Sequence, residues 1–180
     1  MINFTKKISI IGEGAVGKTT FMNKYIHGKF SKTTEMIVGA EFFTKIVETD
    51  EVNGKLTIWD LGGQDRFRPL MRSYLEGSEG IFLMYDLNRL ITLIKIQDWI
   101  KLLKLSNIDT DGKIPIILIG SKKDLYDFDH DDRDEYIEEI TENCSILKHF
   151  EISSLTNENV NECFETMVSH IIKDVINNNK

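Results

Sequence analysis

Residues 12–19 read GEGAVGKT and fill GxxxxGK[ST] at every required position. The flanks constrain what such a loop can sit in. KKISIIG (6–12) is an apolar run that predicts a buried strand, and residues 18–27 carry a helical pattern, so the chain passes from strand through a glycine turn into a helix. That unit belongs to an α/β domain with a mostly parallel sheet. GIFLMYDL (80–87) and IPIILIG (114–120) are near-continuous apolar runs suited to strands covered on both faces, and HFEISS (149–154) reads as a last strand. EFFTKIVETD (41–50) and KLTIWDL (55–61) flank Asn53-Gly54, a hairpin signal that predicts one antiparallel pair turning there. The expected architecture is about six strands, mostly parallel with one antiparallel strand, and helices on both faces.

Helical patterns also occupy roughly 90–105 and the C-terminal stretch, where Val160, Cys163, Phe164, Met167, Val168, Ile171, Ile172 and Val175 mark one apolar face. At 180 residues and 41% hydrophobic content the length suits a single domain over 1–180, with no repeat or linker. A net charge of -7 argues against nonspecific attraction to nucleic acid or anionic lipid. Cys144 and Cys163 are not spaced as a metal pair and fit small buried residues in a reducing, cytoplasmic setting. No apolar run approaches the ~20 residues of a membrane span. Ile2 and the ending INNNK offer no acceptor for myristate or a prenyl group, so membrane contact is expected only through partners or a further lipidated segment.

In the loop, Gly12 and Gly17 permit a tight curl, so the amides of Glu13, Gly14, Ala15, Val16, Gly17, Lys18, Thr19 and Thr20 are expected to face phosphate oxygens at a helix N-terminus. Lys18 would reach the β and γ phosphates, and the Thr19 hydroxyl would ligate Mg²⁺. A nucleoside triphosphate and Mg²⁺ follow, with the base still open. LTIWDLGGQDRFRPL then places Asp60 at the C-terminal end of an apolar strand, where parallel sheets bind ligands and where an acid can hold Mg²⁺ opposite Thr19. Gly63 offers an unobstructed amide, and the Gln64 carboxamide can orient an attacking water.

These motifs, in this order, resemble the Ras superfamily of small GTPases. WDLGGQDRFRPLMRSYLEGSEGIFLMYD is most similar to the Rab branch, and DLGGQ is also similar to the Arf-type DVGGQ. The resemblance spans essentially the whole chain and implies a P-loop NTPase G domain. SKKDL (121–125) resembles the family's NKxD: Asp124 would accept from guanine N1 and its exocyclic amine, and Lys122 would lie along the base plane. Ser121 stands where the family usually has Asn, with Leu125 following the motif. EISSL (151–155) resembles ExSAK, so Ser153 and Ser154 flank the base, the Ser154 amide facing the guanine carbonyl, with Leu155 in place of the usual lysine. Phe30 matches an aromatic that stacks against guanine.

The resemblance also implies a sensor threonine in the loop after the first helix, seven residues beyond Phe30. That register holds Ile37, while Thr33 and Thr34 fall three and four residues early, ~10 Å of extended chain. Three outcomes stay open: the Ile37 amide serves while water replaces the hydroxyl on Mg²⁺, Thr33 or Thr34 refolds into place, or the loop remains open. Lys18 and Gln64 are the expected catalytic groups, with slow intrinsic hydrolysis and no arginine in a position the family uses in cis. Effectors, an exchange factor and an activating protein are implied partners of a monomer, with Phe42, Trp59 and Tyr74 as the aromatic trio shown to effectors. Arg66 and Arg68 are expected to be surface or partner contacts. The rival expectation is a scaffold that holds guanine nucleotide without switching or hydrolysis. Asp127, Asp129, Asp131 and Glu138 fit part of a Ca²⁺-loop template but Asp132 stands where it needs glycine, so an acidic helix start is expected. His27, His130, His149 and His170 show no metal spacing.

Overall fold

The computed structural model describes residues 1–30, 40–63, 68–108, 110–126 and 133–179. Strands β1 (Ile2–Gly12), β2 (Ala40–Glu48), β3 (Val52–Leu61), β4 (Gly80–Asp86), β5 (Ile116–Ser121) and β6 (Lys148–Glu151) form one sheet in the order β2-β3-β1-β4-β5-β6. Only the β2–β3 pair is antiparallel. Helices α1 (Lys18–His27), α2 (Arg68–Leu75), α3 (Leu90–Ile94), α4 (Ile96–Leu105), α5 (Arg133–Asn143) and α6 (Val160–Asn177) surround it. The expected class and sheet composition are those found.

Strand periodicity divides the core. Phe82, Met84, Ile117 and Ile119 join one apolar cluster with Phe21 of α1 and Phe164 of α6, while their neighbours Ile81, Leu83, Ile116 and Leu118 join a second with Trp99 and Leu103 of α4. Every residue of β4 and β5 is buried, as a strand covered on both faces requires. The predicted stripe of α6 packs inward, and Phe164 stacks on Phe21 and Tyr25 with ring centroids at 4.6 and 3.7 Å. Cys144 and Cys163 are buried free thiols. Among the described residues no helix is long and apolar enough to cross a membrane.

Several expected boundaries are corrected. Asn53 and Gly54 are not the hairpin turn: they lie inside β3, opposite Glu48 and Val47, and the chain turns at 49–51, where Thr49 Oγ1 accepts the Val52 amide at 3.2 Å. Gly54 is glycine for packing, because a Cβ there would sit 2.0 Å from the Phe4 ring. That contact also explains why β1 begins at Ile2 rather than residue 6: Ile2 and Phe4 lean inward, Asn3 and Thr5 outward, and this alternating stretch pairs with the start of β3. The helix expected over 90–105 is two helices meeting at Lys95, where the Asp98 amide bonds the carbonyl only three residues back. β5 begins after Pro115, and β6 ends at Glu151, beyond which Ser153 bridges to Glu158. Helix α2 was not expected. The acidic stretch enters the described residues only with α5 at Arg133, so Asp127, Asp129, His130, Asp131 and Asp132 lie outside them.

Candidate functional site

β1 ends at Gly12, whose φ of 144° and whose approach to β4 exclude a side chain: a Cβ would lie 2.1 Å from the Met84 carbonyl oxygen. The loop beyond is held by its carbonyls. Lys18 Nζ donates to Gly12 and Glu13, each at 2.8 Å, Arg89 Nη2 to Gly14 at 2.9 Å, Lys122 Nζ to Ala15 at 2.9 Å and Ser121 Oγ to Val16 at 2.5 Å. The Gly17 carbonyl takes the Phe21 amide, the first turn of α1. In a planar trans peptide the N–H points opposite to the C=O, so this grip on consecutive carbonyls aims the following amides to the other side. Lys18 is buried, and burial pulls its ammonium down to about 8 against the opposing pull of Asp60 and Glu13.

Asp60 is fully buried at the end of β3, and its Oδ2 accepts Thr19 Oγ1 at 2.5 Å. Its Oδ1 is buried with no hydrogen-bond partner among the described residues. Burial raises the carboxyl to about 6, with the Thr19 hydroxyl and Lys18 opposing. An orphaned carboxylate oxygen beside a hydroxyl is a hard-oxygen pair suited to Mg²⁺. Gly63 lies against the loop so closely that a Cβ would come within 2.3 Å of the Gly12 carbonyl oxygen. Gln64, Arg66 and Ile37, with Thr33 and Thr34, lie outside the described residues, as does the Arg68 side chain.

From the loop a cavity of about 610 Å³ runs past Gly17, Thr20 and Phe30 to Ser121, Lys122, Asp124, Leu125, Ser154 and Leu155. Ser121 Oγ also meets the Tyr85 carbonyl at 2.8 Å, so the residue at the Asn position braces β4, β5 and the phosphate loop together. Asp124 Oδ1 accepts Ser153 Oγ at 2.6 Å, and the Lys123 amide bonds the Ile152 carbonyl at 3.0 Å, tying the two far loops. Val16 contributes only its backbone here, since its side chain is in the core.

Residues 7–173 match the Ras family. The chain belongs to that family. It is 32% identical over 173 residues to a probable Ras-related protein Rab-4A of Echinococcus multilocularis, covering 94% of this chain and 74% of that protein. Ras-related protein RABA4a of Arabidopsis thaliana is 33% identical over 177 residues, 97% of this chain and 75% of its own. Ras-related protein Rab-11A of Dictyostelium discoideum is 31% identical over 169 residues, 94% and 77%. The chain is thus a Rab-like small GTPase of the Ras superfamily, with the P-loop NTPase fold.

In this family member Phe42, Trp59 and Tyr74 form one surface aromatic row, with centroids at 5.4 and 6.4 Å, Phe42 well exposed and Lys7 Nζ 4.4 Å from the Trp59 centroid. Sequence reasoning missed Asp86, Asn88 and Arg89. The signal for Asp86 was available: YDLNR puts an acid at the C-terminal end of an apolar parallel strand, as LTIWDL does for Asp60. It also missed that the Glu13 carboxylate faces Lys95 Nζ and Trp99 Nε1, both at 3.1 Å.

Proposed function

We propose that residues 1–180 are one G domain, a guanine-nucleotide-binding switch that hydrolyses GTP slowly with Mg²⁺. The observation that carries this reading is one cavity lined at one end by Ala15 and Gly17, of a loop whose carbonyls are gripped by Arg89 and Lys122, and at the other by Asp124. Diphosphate and base separated by a ribose suit that arrangement, and a carboxylate accepting two N–H groups selects guanine over adenine. Phe30, Leu125 and Leu155 supply apolar surface for the base plane, and the Ser154 amide faces its carbonyl. Thr19 and Asp60 would hold Mg²⁺, which would supply positive charge against the charge developing on the phosphates. Lys18 reaches the β and γ phosphates, the Gly63 amide meets the γ-phosphate, and Gln64 orients water for in-line attack. The sequence carries no arginine at the position the family uses in cis, so turnover is slow and an activating protein supplies the missing charge. An exchange factor and effectors complete the cycle, the effectors docking on Phe42, Trp59 and Tyr74. The working location is cytoplasmic, with a membrane reached through partners or a lipidated segment.

Single-turnover phosphate release from GTP, with ATP as competitor, tests the reading. Wild type should release phosphate, Gln64→Leu should not, and ATP should not compete. Hydrolysis in neither protein, even with an activating protein supplied, favours the second reading, a scaffold that holds guanine nucleotide. Ile37 is the observation behind that alternative, because no hydroxyl at the sensor register leaves the triphosphate state without its usual side-chain ligand. Water in place of that hydroxyl predicts ordinary GDP affinity with a small preference for GTP. A GTP preference lost specifically in Thr34→Ala would establish the refolded loop instead.

A further inference from the structure

Two of the donors that grip the phosphate loop share one anchor. Asp86, at the end of β4 and only 2% exposed, accepts Lys122 Nζ at 2.7 Å and Arg89 Nε at 3.0 Å on the same Oδ2. Its Oδ1 accepts the Asn88 amide at 3.0 Å and the Asn88 side chain, which also reaches the Lys122 carbonyl at 3.2 Å. Each cation keeps another donor for the loop: Arg89 Nη2 on Gly14 and Lys122 Nζ on Ala15. Burial raises the carboxyl of Asp86, but Lys122, the Asn88 amide and Arg89 outweigh it and hold the group below its ordinary range, ionised at neutral pH.

The residue between the two grips is the strained one. Ala15 has φ 61°, the left-handed region that disfavours a side chain, and within residues 12–19 it is the only non-glycine there. The carbonyl before it is fixed by Arg89, and its own by Lys122. Because N–H and C=O oppose each other across a trans peptide, these bonds set the directions of the Ala15 and Val16 amides. We infer that Arg89, pivoted on Asp86, is a positioning residue of the nucleotide site, holding Ala15 left-handed so that two amides of the phosphate nest stay aimed at the β-phosphate. Arg89 does this through the Gly14 backbone carbonyl, and its side chain is 41% exposed. Its removal therefore opens no core cavity, and the fold should survive it.

The inference rests on the nucleotide reading above and is tested separately from it. Release of a fluorescent GDP analogue is followed with excess Mg²⁺ for wild type, Arg89→Ala, Arg89→Lys, Ala15→Gly and the Ala15→Gly/Arg89→Ala double variant. GMP and GDP affinities are titrated in parallel, and thermal melts confirm folding. Arg89→Ala should speed GDP release about tenfold, the worth of one charge-assisted hydrogen bond. Its GMP affinity should be unchanged, because GMP has no β-phosphate. Arg89→Lys should fall between, since one ammonium cannot reproduce the fork that spans Asp86 and Gly14. Glycine at 15 removes the strain, so the effect of Arg89→Ala should shrink in that background. Wild-type protein that holds GDP while Arg89→Ala releases it at the same rate overturns the positioning role alone, as does equal weakening of GDP and GMP. A wild-type chain that binds neither guanine nor adenine nucleotides overturns the nucleotide reading and this inference with it.

Discussion

The two ends of the cavity are built by different means. At the phosphate end the working surface is backbone, and the carbonyls of residues 12 to 16 are held by Lys18, Arg89, Lys122 and Ser121. At the end proposed for the base the lining is side chains: Phe30, Leu125 and Leu155 are exposed, and the loops are joined by a few bonds such as Ser153 to Asp124. A backbone surface can be spoiled only by changes that move the chain, whereas a side-chain surface can be edited residue by residue. Substitutions at the first end that displace the backbone should therefore cost folding, and at the second they should redirect selectivity at constant stability.

The largest expected effect is at Gly12. Its alanine variant combines a disfavoured φ of 144° with a Cβ 2.1 Å from a backbone oxygen of β4, which no rotamer change relieves. The loss should reach about 3 kcal/mol, a fall of roughly 10 °C in Tm for a chain of this size. Gly14→Ala in the same loop is the control: among the described residues the nearest atom to its Cβ, the Gly63 carbonyl oxygen, is 4.0 Å away, and stability should move by less than ~0.5 kcal/mol. Equal melts for the two variants would break the contrast. Asp124→Asn comes next and should leave the melt unchanged. Guanine would lose an acceptor for two N–H groups, weakening GDP about 100-fold. Xanthosine diphosphate, with a carbonyl where guanine has an amine, should bind the variant better than it binds wild type. Unchanged GDP affinity in a competition assay would sink the assignment of the base.

The same division governs what could be read from the sequence. The phosphate loop was legible because its requirements are contiguous: two glycines, a lysine and a threonine at fixed offsets between a strand and a helix. The β4 and β5 runs were legible because burial on both faces leaves only apolar residues. Gly54 misled because its glycine serves the ring of Phe4, fifty residues earlier, and a local hairpin rule cannot see that contact. Arg89 was invisible for a related reason: its importance comes from the Gly14 carbonyl and from Asp86, and neither contact is implied by its place just before a helical pattern. Ser121 was the intermediate case, where a substituted motif position kept its bracing function through a shorter side chain.

A smaller effect is expected at Leu155, which is 45% exposed and lies where the family usually has lysine. Truncation to alanine removes apolar cover worth under ~1 kcal/mol, so GDP should weaken about threefold by titration, with the melt unmoved. A loss as large as that of Asp124→Asn would mean that the apolar rim, rather than the carboxylate, holds the base.

The smallest effect tests the support behind the base end. His149 Nε2 lies 3.0 Å from the Tyr85 hydroxyl, and the pair meets across β5 because Gly120 has no side chain: a Cβ there would be 2.8 Å from that hydroxyl. Tyr85 in turn offers its carbonyl to Ser121. Burial pulls the His149 pKa down, and the charge of Arg133 lowers it further against the pull of Asp134. The folded protein therefore prefers neutral imidazole, while the unfolded chain protonates near 6.5. This contribution is complete above about pH 6.5 and is lost as pH falls below it toward the folded pKa, with a slope of at most ~1.4 kcal/mol per pH unit. Asp60 acts with the opposite sign in metal-free protein: its raised pKa of about 6 makes stability fall as pH rises from the unfolded carboxyl value toward that pH. Urea midpoints should therefore be compared in an Asp60→Asn background, with and without His149→Gln. The decline between pH 6.5 and 5 should flatten when His149 is replaced. An unchanged slope would place the acid sensitivity elsewhere than the Tyr85–His149 pair.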